Sequence, residues 1–183
     1  MALRPISELI DALRSLALPL VPVARIGETA PRLPAELPTV RVVASELMFA
    51  PLGIGGSREA YLDATATLVE DRGRRITGSL SVEVWGADED AVNGIAVAAA
   101  EGLAGIETAL LGRGFLRLRQ SKWQPAADSR LRGTASDMAL RQSLAYEIVF
   151  EDVETAPVDG GLIKTVEVRV KPPVEEGFDI TKP

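Results

Sequence analysis

Histidine and cysteine are both absent from the 183 residues of this chain, so chemistry near neutral pH falls to carboxylates, hydroxyls and arginines. Without Cys there is no disulfide, no thiolate nucleophile and no Cys-ligated zinc or iron–sulfur cluster. Without His there is no Ser-His-Asp triad, no imidazole general base and no His-ligated metal. Oxygen ligation of Mg²⁺ or Ca²⁺ is what remains for metal chemistry. The acidic clusters are Glu70-Asp71, Asp88-Glu89-Asp90, Glu151-Asp152 with Glu154, and Glu175-Glu176. Paired carboxylates do acid/base work only in a cleft where burial or a like charge raises one pKa. Each cluster here has a plainer place: a turn, a helix start, a strand end and a tail. No EF-hand spacing, GxSxG elbow or Rossmann fingerprint is present. Leu52 to Ser57 (LGIGGS) has the glycines of a tight loop, but Arg58-Glu59 stands where a phosphate loop needs Lys followed by Ser or Thr. The expectation is a chain with no catalytic residues, no cofactor and no metal. A carboxylate-based small enzyme or ligand-binding domain is the alternative.

The cations are grouped more suggestively. Arg72, Arg74 and Arg75 crowd the Asp71-Arg72-Gly73 segment, which reads as a hairpin turn. A solvated turn is the plain reading, and contact with phosphate or an acidic partner the sharper one. Arg117, Arg119 and Lys122 fall close together, next to Trp123, and the polar stretch that follows adds Arg130, Arg132 and Arg141. These ten residues are the candidate subunit or partner contacts. A formal net charge of -6 argues against a free-standing nucleic-acid binder while leaving room for a local basic patch.

The elements that would position these groups centre on Gly78 to Leu118, which reads strand, helix, strand. Leu80, Val82 and Val84 alternate with Ser79, Ser81 and Glu83, the period of a half-buried strand. Val92, Ile95, Ala96, Ala99, Leu103, Ile106 and Leu110 recur at steps of three and four, one amphipathic helix. Asp88 suits its N-cap, and Gly112 and Gly114 suit its end.

Ahead of this unit, Ile6, Leu9, Ile10, Leu13 and Leu16 form a helical stripe with Pro5 in the first turn. That helix packs on its own domain or docks on a neighbouring subunit. Five prolines from Pro19 to Pro38 exclude a regular helix or central strand. Six apolar residues in that span point to an extended arm lying along a surface, its own or a partner's. TVRVVASELMFAPLG reads as a strand, and AYLDATATLVEDRGRRITGSLSVEVWG as a hairpin turning at Asp71-Arg72-Gly73. Ser121 to Gln142 reads as a long exposed loop suited to carrying interactions. SLAYEIVFEDV is a strand with Leu144, Tyr146, Ile148 and Phe150 on one face, and LIKTVEVRVKP is a further alternating strand after a turn at Pro157 and Asp159-Gly160-Gly161. The resulting fold class is α+β: a mixed or antiparallel sheet of about five strands against one long helix, with a short N-terminal helix and a Pro-rich extended arm. The expected division is 1–38 for helix and arm, 39–171 for the domain, and 172–183 for an extended tail. No stretch approaches the roughly 20 apolar residues of a membrane span, and the missing cysteines fit a cytoplasmic origin.

The order of SLSVEVWGADEDAV, an apolar helix ending at LLGRG, FLRLRQ, a polar loop containing SRLRG, and RQSLAYEIVFED resembles the tail-terminator (tail-completion) proteins of long-tailed bacteriophages and the tube-capping proteins of contractile injection systems. The resemblance covers roughly Thr39 to Val153. It implies a ring-forming virion protein, commonly a hexamer, that sits on the last ring of the tail tube and offers a surface to the neck. It implies homo-oligomerisation, contacts with tube and neck or sheath proteins, DNA passing through the lumen without specific binding, and no catalytic residues. The implied location is the virion tail after assembly in the host cytoplasm. A neck or sheath adaptor and an unrelated cytoplasmic interaction domain are the competing readings. The loop from Ser121 to Gln142 and the arm from Pro19 to Pro38 are expected to make the inter-subunit contacts.

Overall fold

The computed structural model describes residues 3–53, 57–62, 64, 68–131, 133 and 137–157. Helix α1 (Arg4–Ser15) opens the chain, with Pro5 in its first turn, where the missing N–H has no intrahelical partner to lose. Its stripe of Ile6, Leu9, Ile10 and Leu13 is buried in the main core, so the helix packs on its own domain. It ends well before Pro19: Leu16 caps it, and Ala17 adopts a positive φ of 48°.

The proline-rich segment lies along its own domain. Two 3₁₀ turns, Val23–Arg25 and Pro34–Glu36, flank β1 (Ile26–Gly27), which pairs in parallel with β2 (Thr39–Pro51). Val21 and Ile26 enter the main core, whereas Ala30 joins a smaller cluster with Trp85, Leu131 and Ala139. Arg25 ties the segment to itself by donating to the carbonyls of Leu37 (2.6 Å) and Ala35 (2.8 Å). Leu20, Val23 and Leu33 stay exposed.

The remaining strands are β3 (Ser57–Leu62), β4 (Leu68–Gly86), β5 (Phe115–Arg130) and β6 (Met138–Pro157). Among the described residues they complete a six-stranded mixed sheet in the order β1-β2-β4-β6-β5, with β3 taking over beside β4 where β2 stops. Helices α2 (Glu89–Gly105) and α3 (Glu107–Leu111) join α1 on one face. As the alternation requires, Leu80, Val82 and Val84 of β4 and Leu144, Tyr146, Ile148 and Phe150 of β6 form the floor of the core. Phe115 meets Phe150 edge to face at 5.0 Å between ring centroids. The Asp88 carboxylate accepts from the Ala91 N–H at 2.9 Å, the cap that its position suggests.

Three expectations are corrected. Asp71-Arg72-Gly73 is not a turn: β4 runs through it, paired with Thr155, Glu154 and Val153 of β6, and the connection from β3 lies between Leu62 and Leu68. Gly73 serves close approach instead, because a Cβ there would sit 2.9 Å from the Asp152 carbonyl. The stretch from Ser121 to Gln142 is mostly strand, with β5 reaching Arg130 and β6 starting at Met138. Bulges at Gln120/Lys122 and Gln124/Ala127 break the period of two without breaking the pairing. The long helix is two helices, because Ile106 leaves helical geometry (φ -109°, ψ 18°) directly after Gly105. Arg132, residues 54–56, the alternating strand at 162–171 and the tail at 172–183 lie outside the described residues.

Candidate interaction surface

Among the described residues, alternation along the strands leaves one face of the sheet without helices. Ser79, Ser81, Glu83 and Trp85 of β4 stand there beside Glu147, Ala145, Ser143 and Arg141 of β6. Register adds Arg41 and Val43 of β2, and Arg117, Arg119, Lys122 and Gln124 of β5. The register shifts at Phe115/Arg117 and Gln120/Lys122 bring the last four onto this face.

Glu83 organises the middle. Its carboxylate is almost fully covered and accepts from Arg41 Nη1 at 3.2 Å, Arg141 Nη1 at 3.5 Å and Trp85 Nε1 at 3.3 Å. The Arg141 guanidinium also lies over the Trp85 ring, 5.7 Å from its centroid. Beside it the Ser81 and Ser143 hydroxyls bond each other at 2.6 Å. A shallow cleft of about 270 Å³ runs past Val43 and Ser81, and one of about 400 Å³ continues along Lys122, Trp123 and Pro125; the two share Gln124, Arg141 and Ser143. Chemically this is an ordered polar surface. The Glu83 carboxylate is taken up by two guanidiniums and an indole N–H, and the two serine hydroxyls beside it bond each other. Among the described residues no group of three or more Asp or Glu side chains is placed to hold a metal ion.

The helix-covered face has its own oddity. Both amide atoms of Gln142 and the hydroxyl of Tyr146 are buried with no hydrogen-bond partner among the described residues. Desolvation pushes the Tyr146 pKa up from 10.0 to about 12. Tyr146 lies at a third cleft, about 210 Å³, where Leu103 and Leu110 of α2 and α3 face Leu118 of β5, with Glu107 and Arg119 exposed beside it.

The ten cationic and aromatic candidates divide accordingly. Lys122, Trp123 and Arg141 line one cleft, with Arg119 on the same face. Arg117 pairs with Glu147 at 3.5 Å, both half-exposed, and Arg130 stands at the far end of β5. Arg72, Arg74 and Arg75 belong elsewhere: they are spread along the far half of β4, not gathered at a tip. There they pair with Glu70 (2.8 Å), Asp152 (3.0 Å) and Glu151 (2.7 Å), and Arg74 covers the Phe49 ring at 5.3 Å. Sequence reasoning missed Arg41, Ser81, Glu83, Ser143 and Tyr146. In an alternating strand Glu83 looks like any outward charge, since its arginine partners are 42 and 58 positions away.

Among the described residues no helix is long and apolar enough to cross a membrane. No protein-family model and no curated protein matches the chain.

Proposed function

We propose that the chain is a structural, non-enzymatic subunit that works by association: a tail terminator whose ring closes the tube of a phage-type or contractile tail and presents a surface to the neck. One observation carries this reading. The sheet outruns its helices: β4 and β6 stay paired out to Val69 and Pro157, while the main core reaches only to Ile76 and Phe150. The extension and its approach expose Met48 (62%), Phe49, Tyr61 and Leu62 (62%), large apolar side chains of the kind a partner covers. Among the described residues β5 is paired on one side only, which leaves a strand edge for a partner protein of the assembly. The acidic balance suits a lumen that DNA must slide through. The expected location is the virion tail, after assembly in the host cytoplasm.

Mass measurement in solution with electron microscopy of the purified protein tests this. Closed rings of about six copies that cap tail tubes are expected, whereas a compact monomer at high concentration overturns the reading. A neck or sheath adaptor is the second reading, favoured by two chemically unlike surfaces, the apolar extension and the cationic β5 edge. An adaptor would bind two partners and fail to cap tubes alone.

A further inference from the structure

We infer that the free edge of β5 binds an extended acidic segment of a partner protein by strand addition, with carboxylates at alternate positions and an apolar side chain between them. Among the described residues β5 is the outermost strand, paired on one side only, and nearly all of its residues are exposed. Its outward N–H and C=O groups therefore offer a ladder to another chain. On the helix-free face Arg117, Arg119 and Lys122 stand in register with Val149, Glu147 and Ala145, at steps of about 7 Å. Arg117 has only a half-exposed partner, and Arg119 and Lys122 have no ion pair among the described residues. On the other face Leu118 borders the 210 Å³ cleft under α2 and α3, with Leu103 and Leu110 lining it and Glu107, Arg119 and Gln120 at the same cleft. A strand laid along Arg117 to Lys122 thus meets cations with one set of side chains and an apolar slot with the other.

The same cations deter two β5 edges from pairing with each other, since like charges would face across the joint. The Gln120/Lys122 bulge interrupts the ladder within this stretch, and the Gln124/Ala127 bulge with Pro125 ends it beyond Lys122. The backbone selects a peptide over nucleic acid, because only another peptide can pair with the open N–H and C=O groups of the strand. This inference deepens the reading of the chain as an assembly subunit, but it does not need the ring.

The test is fluorescence anisotropy of the purified protein with a labelled eight-residue peptide of alternating Glu and Leu. Expected is binding that weakens with salt and that falls roughly tenfold in the Arg119→Glu/Lys122→Glu variant. A peptide carrying Lys for Glu should ignore the native protein and bind that variant, which shows that the variant is folded. A version with N-methylated backbone amides should bind at least tenfold more weakly, while Glu101→Gln on the exposed side of α2 changes nothing. Equal affinity for acidic and basic peptides, equal affinity of the N-methylated peptide, or tighter binding of a DNA duplex each overturns the proposal. Mass measurement on the same sample separates the two readings. Monomers that bind the peptide refute the ring alone, and rings that ignore it refute strand addition alone.

Discussion

Replacing Tyr146 by Phe should make the protein more stable, and increasingly so as pH rises. The hydroxyl is buried with no partner among the described residues, so folding strips it of water without return. Such an orphan costs about 1–3 kcal/mol, and Phe keeps the ring that packs in the core. A gain of about 1 kcal/mol at pH 8 is expected from the lower end of that range. The alkaline arm follows from linkage. The folded pKa is about 12 against 10.0 for a free tyrosine, so between these values the unfolded chain gives up a proton that the folded chain keeps. Fewer protons on the unfolded state mean that stability, fully present below pH 10, falls as pH rises towards 12, by about 1.4 kcal/mol per unit. The advantage of the Phe variant should therefore grow to about 2 kcal/mol by pH 11. Urea unfolding of both proteins at pH 8 and pH 11, followed by the fluorescence of Trp85 and Trp123, measures it, with unchanged m-values as the control. A variant less stable by 1 kcal/mol or more at pH 8, or a gap that does not widen, would refute the claim that the hydroxyl is unpaired.

Gly78 has φ +153° opposite the Ala44/Glu46 bulge, and a Cβ there would overlap the Glu46 carbonyl oxygen. Gly78→Ala should cost about 3 kcal/mol or more, read as a drop in thermal midpoint. Asp88→Ala removes the cap of α2 and should cost about 1 kcal/mol in urea unfolding, with far-UV circular dichroism showing the helices still formed. Glu83→Gln strips the shared carboxylate from Arg41 and Arg141, both partly solvated, for a loss of about 1–2 kcal/mol. Arg74→Ala breaks a half-exposed pair with Asp152 and should stay within about 0.5 kcal/mol by the same assay.

The parts of the fold that were legible are those where one local pattern meets one environment. Leu80, Val82 and Val84, and Leu144 to Phe150, alternate cleanly because one side of their strands meets helices and the other does not. The stripe of α1 and the Asp88 cap were readable for the same reason: each depends on residues within a turn or two. What misled was local chemistry overruled from a distance. Asp71-Arg72-Gly73 has turn composition, yet strands on both sides of β4 hold it extended. The bulges of β5 erased its period, so a paired strand looked like a loop. The surface was harder still. Lys122, Trp123 and Arg141 could be suspected by type, but that they line one cleft depends on the β5–β6 register. Glu83 owes its role to two arginines that neighbour it only after folding.

The long seam between β4 and β6 also has a kinetic consequence. It joins residues as distant in sequence as Val69 and Pro157, so a newly made chain cannot close it until the whole of β6 has been synthesised. Contacts of this range make folding slow, because the intervening chain must first be gathered in. Until then β4 waits with one edge bare, and that interval is when the nascent protein is most open to mispairing and in greatest need of a chaperone.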